Sequence, residues 1–74
     1  MEVKMELYVI GNSDQTKYLG WDFDSSKSIV LDNPSSHLIS LFNEEGANSL
    51  LKTSKYTNFY LQNGLHYKYP VRII

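Results

Sequence analysis

Residues 33–54 read NPSSHLISLFNEEGANSLLKTS, and the fold of the whole chain turns on them. One reading is a short helix over 34–45. Asn33 would cap it, Pro34 would be its first residue, and Gly46 would sit just past its end. Leu38, Ile39, Leu41 and Phe42 would then form an apolar stripe. Two features oppose this. Glu44 and Glu45 would lie at the C-terminal end, where the helix dipole disfavours acids, and the serines and asparagines of this stretch dilute helix propensity. The other reading is a hairpin, with HLISLF (37–42) pairing with NSLLKTS (48–54) across NEEGA (43–47). We adopt the hairpin as the expectation.

On either side the pattern is that of strands. In 2–10, EVKMELYVI, the residues Val3, Met5, Leu7 and Val9 alternate with Lys4, Glu6 and Tyr8, which predicts a half-buried strand. GNSDQT (11–16) is a turn cluster. KYLGWDF (17–23) reads as a second strand, with Gly20 marking a bulge or a close approach. SIVLD (28–32) reads as a third, after the turn DSSKS. The carboxy-terminal stretch NFYLQNGLHYKYPVRII (58–74) predicts a hairpin about Asn63-Gly64. A three-residue loop with a left-handed Gly64 would set Leu61 opposite Leu65 and Phe59 opposite Tyr67. That register leaves Leu65, Tyr67, Tyr69, Val71 and Ile73 on an apolar face. Tyr60 then joins His66, Lys68, Pro70 and Arg72 on a polar one.

The expected architecture is a single domain over 1–74. Its class is all-β, five to seven short strands in a small antiparallel barrel or a trefoil-like arrangement. The alternative is α+β, two hairpins with a helix at 34–45. At 74 residues such a chain buries only about 60% of its unfolded surface, so its core is small. Cysteine is absent, which excludes disulfide support and thiolate metal sites. Two histidines are too few for a histidine-rich metal site. Packing and self-association remain as supports.

A weak repeat appears at an offset of 42. Tyr8-Val9 aligns with Leu50-Leu51, Tyr18-Leu19 with Tyr60-Leu61, Phe23 with Leu65, and Ile29 and Leu31 with Val71 and Ile73. The run KYLGWDFDSSKSIVLD followed by HLISLFNEEGANSLLKTSKYTNFYLQN resembles the repeating unit of β-trefoil domains of the lectin and toxin-associated kind. Tyr18-Leu19 and Tyr60-Leu61 hold the place of the tyrosine-leucine strand. The glutamine-x-tryptophan signature of ricin-type lectins is absent, and the chain holds fewer than two of the three repeats a trefoil needs. The resemblance therefore implies completion by another copy or closure into a different small barrel.

Charge is unevenly distributed. All eight acids precede residue 46, and after it come Lys52, Lys55, Lys68 and Arg72 with no acid. The plainer consequence is that the two parts pack together; the sharper one is a basic face for an anionic partner. DFDSSKSIVLDN (22–33) begins like a calcium loop, but Lys27 stands where glycine is required and Asn33 where the bidentate glutamate is required, so it reads as a solvated turn. No glycine-rich phosphate loop or nucleophile motif is present. The expectation is a non-catalytic module without metal or cofactor.

Two surfaces are candidates. Trp21, with Asp22 and Asp24, offers an aromatic to stack on a sugar and carboxylates to accept its hydroxyls; for Trp21 and Asp22 the trefoil resemblance implies the same use. Lys55, Tyr60, His66, Lys68 and Arg72 offer a basic, tyrosine-rich face. The leading expectation is a self-associating binding module for a glycan or a protein surface. The alternative is a small regulator or inhibitor that docks on a macromolecule through the basic face. Single-stranded nucleic acid is disfavoured, because four cations are few and eight acids repel phosphate. No run approaches the roughly 20 apolar residues of a membrane span. The charged amino terminus lacks a signal-peptide core, so a cytoplasmic location is expected.

Overall fold

The computed structural model describes residues 6–72, with side chains described through residue 71. The elements in order are β1 (Glu6–Gly11), β2 (Tyr18–Asp22), β3 (Lys27–Leu31), α1 (Glu44–Ser54), α2 (Asn58–Asn63) and β4 (Tyr67–Arg72). The strands form one open antiparallel sheet in the order β3-β2-β1-β4. The expected barrel or trefoil-like arrangement of five to seven strands is corrected: the sheet has four strands and does not close, and two helices complete the chain. The α+β alternative also needs correction, because its helix belongs at 44–54 and not at 34–45.

The helix starts at Asn43, whose side-chain oxygen accepts the Gly46 N–H at 2.7 Å. Glu44 and Glu45 thus fall in the first turn, where the helix dipole favours acids. The acids that argued against a helix over 34–45 belong at the start of the next one. Ala47, Leu50, Leu51 and Ser54 follow at the spacing of one helical face. Ala47 and Ser54 are buried, and Leu50 and Leu51 pack against the core. Asn33 caps nothing helical; its side chain accepts the Ser35 N–H in an Asx turn.

The Asn63-Gly64 hairpin is corrected as well. Gly64 is left-handed, at φ 67°, but it ends α2. The Leu65 N–H returns to the Tyr60 carbonyl and the Gly64 N–H to that of Leu61, a Schellman closure. A left-handed glycine serves a hairpin bulge and a helix end equally well. The burial of Leu65 and the packing of Phe59 and Tyr60 against the core favour the helix.

β1 and β2 meet at one register pair, Gly11 with Tyr18, and then diverge. The segment 38–42 fills the gap. Trp21 N–H donates to Leu38 and Ser40 N–H to Leu19, while Tyr8 and Phe42 exchange both backbone bonds, at 2.7 and 2.9 Å. The expected second hairpin strand at 37–42 therefore bonds to β2 and β1 as isolated bridges, not to 48–54. Gly20 is the close approach its position suggested. A Cβ there would meet Leu31 Cδ1 at 2.5 Å and the Leu38 carbonyl at 2.9 Å.

The core is Ile10, Leu19, Ala47 and Leu65, between the sheet and the helices. Val9 and Ile10 are both nearly inaccessible, at 2% and 0% exposure, so β1 is buried on both faces and not half-buried. Ile10 faces the helices. Val9 shares the other face with its pair Tyr69 and with Leu7 and Val71. Tyr18 and Tyr69 close over Gly11, where a Cβ would meet both rings at 3.1 and 3.2 Å. Their hydroxyls donate to the carbonyls of Gln15 and Asn12.

Two of the pairings at offset 42 join unlike elements, while Ile29 and Val71 both lie in strands. Tyr18-Leu19 is strand and Tyr60-Leu61 is helix; Tyr8-Val9 is strand and Leu50-Leu51 is helix. Val3, Met5 and Ile73 lie outside the described residues.

Candidate functional site

The carboxy-terminal alternation is real, but its two sides are used otherwise than expected. Lys68 pairs with Ile10 and Pro70 with Tyr8, so this row shares the face on which α1 packs. Tyr67, 50% exposed, Tyr69 and Val71 lie on the opposite face. The row read as a free polar face is the one beneath a helix.

Lys68 and His66 both have partners within the fold. Lys68 Nζ donates to Asn48 Oδ1 at 2.7 Å, lies 4.0 Å from Glu44 Oε2 and sits 5.1 Å above the Tyr8 ring. His66 Nδ1 lies 3.1 Å from the Ser54 hydroxyl, which also reaches the Leu51 carbonyl. One proton arrangement satisfies all three groups: Ser54 donates to Leu51, and His66 Nδ1–H donates to Ser54. Lys55 lies over Tyr56 at 5.2 Å, past the end of α1. Tyr60 is on α2, edge-on to Phe59 and packed against the core. Arg72 ends β4 opposite Glu6, with its side chain outside the described residues. The five residues do not form one surface. The acidic and basic parts of the chain meet in the fold, through β1–β4 pairing and the contact of Lys68 with Glu44.

Tyr8 is the electrostatic centre of this region. Its hydroxyl donates to Glu44 Oε2 at 2.9 Å and lies 3.2 Å from Glu6 Oε2. The hydrogen bond to Glu44, with loss of solvent and the repulsion of both carboxylates, pushes the phenol up to about 12.

The first candidate surface divides. Trp21 pairs with Ser28 and Asp22 with Lys27, so the two consecutive side chains leave opposite faces of β2. Asp22 accepts the Ser25 hydroxyl at 2.8 Å and the Asp24 N–H at 3.0 Å, which hold its carboxyl below the usual range. It organises the β2–β3 turn, and Asp24 is exposed within that turn. Aromatic and acid do not converge on one ligand position.

Trp21 instead contributes to a shallow cavity of about 470 Å³ on the helix side of the sheet. Phe23, Leu41, Leu50 and Tyr60 join it from the β2–β3 turn, the 38–42 segment and both helices. Its polar-bearing residues are Ser28, His37, Ser40 and Tyr60, with no carboxylate, lysine or arginine. Trp21, Phe23 and Leu41 remain exposed, at 38%, 73% and 45%. From the sequence only Trp21 and Tyr60 were candidates. Leu41 and Leu50 were assigned to paired strands, which hid their convergence.

Among the described residues no group of three or more His, Asp or Glu is placed to hold a metal ion. No helix there is long and apolar enough to cross a membrane. The chain matches no known family model, no curated protein and no solved structure.

Proposed function

We propose that the protein is a non-catalytic binding domain whose docking surface is the Trp21 cavity, and that its ligand is an apolar segment of a protein. The carrying observation is that three exposed large apolar side chains, Trp21, Phe23 and Leu41, meet the half-buried Leu50 and Tyr60 of the two helices in one concavity. Clustered apolar exposure of this kind marks interaction sites, whereas scattered single residues do not. A glycan would call for several convergent polar groups. The lining residues carry three hydroxyls and an imidazole but no charged group, with Asp22 turned to the other face, which favours a protein ligand over a sugar. Docking through the basic residues is less favoured, because Lys68 and His66 already have partners within the fold.

Selection from a displayed random-peptide library tests this reading. Enriched peptides should carry apolar anchors, and their binding should shift Trp21 emission to shorter wavelength as water leaves the indole. Leu41→Asp places a charge on an exposed position of the rim and should weaken binding by about tenfold or more. Peptides that bind wild type and Leu41→Asp equally would sink the proposal, as would selection of none.

A further inference from the structure

We propose that two copies of this chain associate through β3, paired antiparallel about Ile29 so that the two sheets become one. The observation is an open edge with a self-complementary register. In β2, the Trp21 N–H and the Leu19 carbonyl bond to the 38–40 segment, away from β3. By alternation the pairs Tyr18–Leu31, Gly20–Ile29 and Asp22–Lys27 carry the β2–β3 bonds. Ser28 and Val30 therefore direct their N–H and C=O groups outward. Among the described residues none of these four groups has a hydrogen-bond partner. No proline or bulge blunts Lys27–Leu31; its one charge, Lys27, stands at the end, and its interior carries the β-branched Ile29 and Val30.

A second β3 fits this edge closely. With Ile29 opposite Ile29 of the other copy, Ser28 of each stands opposite Val30 of the other. Both such pairs are then mutually hydrogen-bonded, so four backbone bonds form and all the outward groups of Ser28 and Val30 are met. The two isoleucines meet as the close, non-bonded pair, and Ile29 and Leu31 continue the apolar face that carries Val9 and Tyr69. The symmetry is two-fold, so each copy contributes the same patch.

The opposite edge explains why such pairing would stop at two. Tyr8 spends both backbone groups on Phe42, so its partner Pro70 points its backbone outward from β4. Proline has no N–H to offer there. One competent edge and one blocked edge yield a closed dimer and not a growing sheet.

Sedimentation of the full chain over a wide concentration range, with amide hydrogen exchange on the same samples, tests the proposal. Wild type should pass from monomer to dimer without larger species, with the Ser28 and Val30 amides becoming protected as dimer forms. Ser28→Pro removes an outward N–H and no bond to β2, and should weaken association by about tenfold or more while leaving the circular dichroism spectrum unchanged. Leu41→Asp should dimerise as wild type does, which separates this edge from the cavity. A wild type that stays monomeric, or a dimer in which these two amides exchange freely, overturns the proposal. So does a folded Ser28→Pro variant that dimerises normally. Should that variant not fold, the wild-type exchange pattern alone decides.

Discussion

Gly20 shows how much one missing side chain can hold in place. It lies beneath Leu31 and against the Leu38 carbonyl, where the 38–42 segment enters the gap beside β2. Alanine would push into backbone and branched side chain together, and neither yields cheaply. Gly20→Ala should cost about 1–3 kcal/mol in urea unfolding, and a loss too small to measure would mean that this segment is not seated as described. Tyr8 carries an electrostatic signature at the same scale. Its phenol should titrate near 12 in absorbance, and Glu44→Gln should bring it down toward the ordinary tyrosine range. The sign follows from the raised folded value. The neutral phenol is favoured by folding, so its contribution is complete below the unfolded value near 10 and is lost as pH rises toward 12. Asp22 has the reverse sign: its depressed carboxyl contributes fully above the ordinary carboxylate value and loses that contribution as pH falls from there through its own lowered value.

At the scale of elements, α1 is where local and long-range information disagree least once the right cap is found. Asn33-Pro34 and Asn43-Glu44-Glu45 are both plausible starts by composition. Only the second is followed by Ala47, Leu50, Leu51 and Ser54, which can all face a sheet at once. Asn43→Ala should cost about 1 kcal/mol and speed exchange of the Gly46 amide. Asn33→Ala should leave that amide untouched, since its bond goes to Ser35. Equal Gly46 exchange in the two variants would contradict the assigned helix start. The strands were more legible. β2 falls within the segment expected at 17–23, and β1 and β3 overlap those expected at 2–10 and 28–32 to within one residue at an end, because turn residues bound them and strand-favouring residues fill them. β4 was legible as a strand but not in its partner. Its alternation is genuine, yet it pairs with β1 and not with 58–63.

At the scale of the whole molecule, helices cover one face of the sheet and one sheet edge stays open. Lys68 reaches Asn48 and Glu44, and His66 reaches Ser54, so polar residues that look solvent-facing in an alternating pattern are held under α1. The cavity proposed to bind a partner exists only because the β2–β3 turn, the 38–42 segment and two helices end near one another. Its residues are spread from 19 to 60, with no local spacing to announce them. Trp21 was visible because tryptophan is rare and half-exposed strand positions suit it; Leu41 and Leu50 look like any core residues until their neighbours are placed.

By itself the sequence determined the three amino-terminal strands, the left-handed Gly64, the special backbone position of Gly20, which the structure resolves as a close approach and not a bulge, and the lack of any cysteine-based support. These rest on short-range sterics and turn chemistry, which a dozen residues suffice to specify. The tertiary structure alone decided that Gly64 ends a helix, that the basic row lies beneath α1, that β1 is buried on both faces, and that Trp21 and Asp22 part company. Each of these depends on which distant segment covers a face or pairs with an edge. That choice is made by burying Ile10, Leu19, Ala47 and Leu65 together, a long-range gain that outweighs weak local preferences.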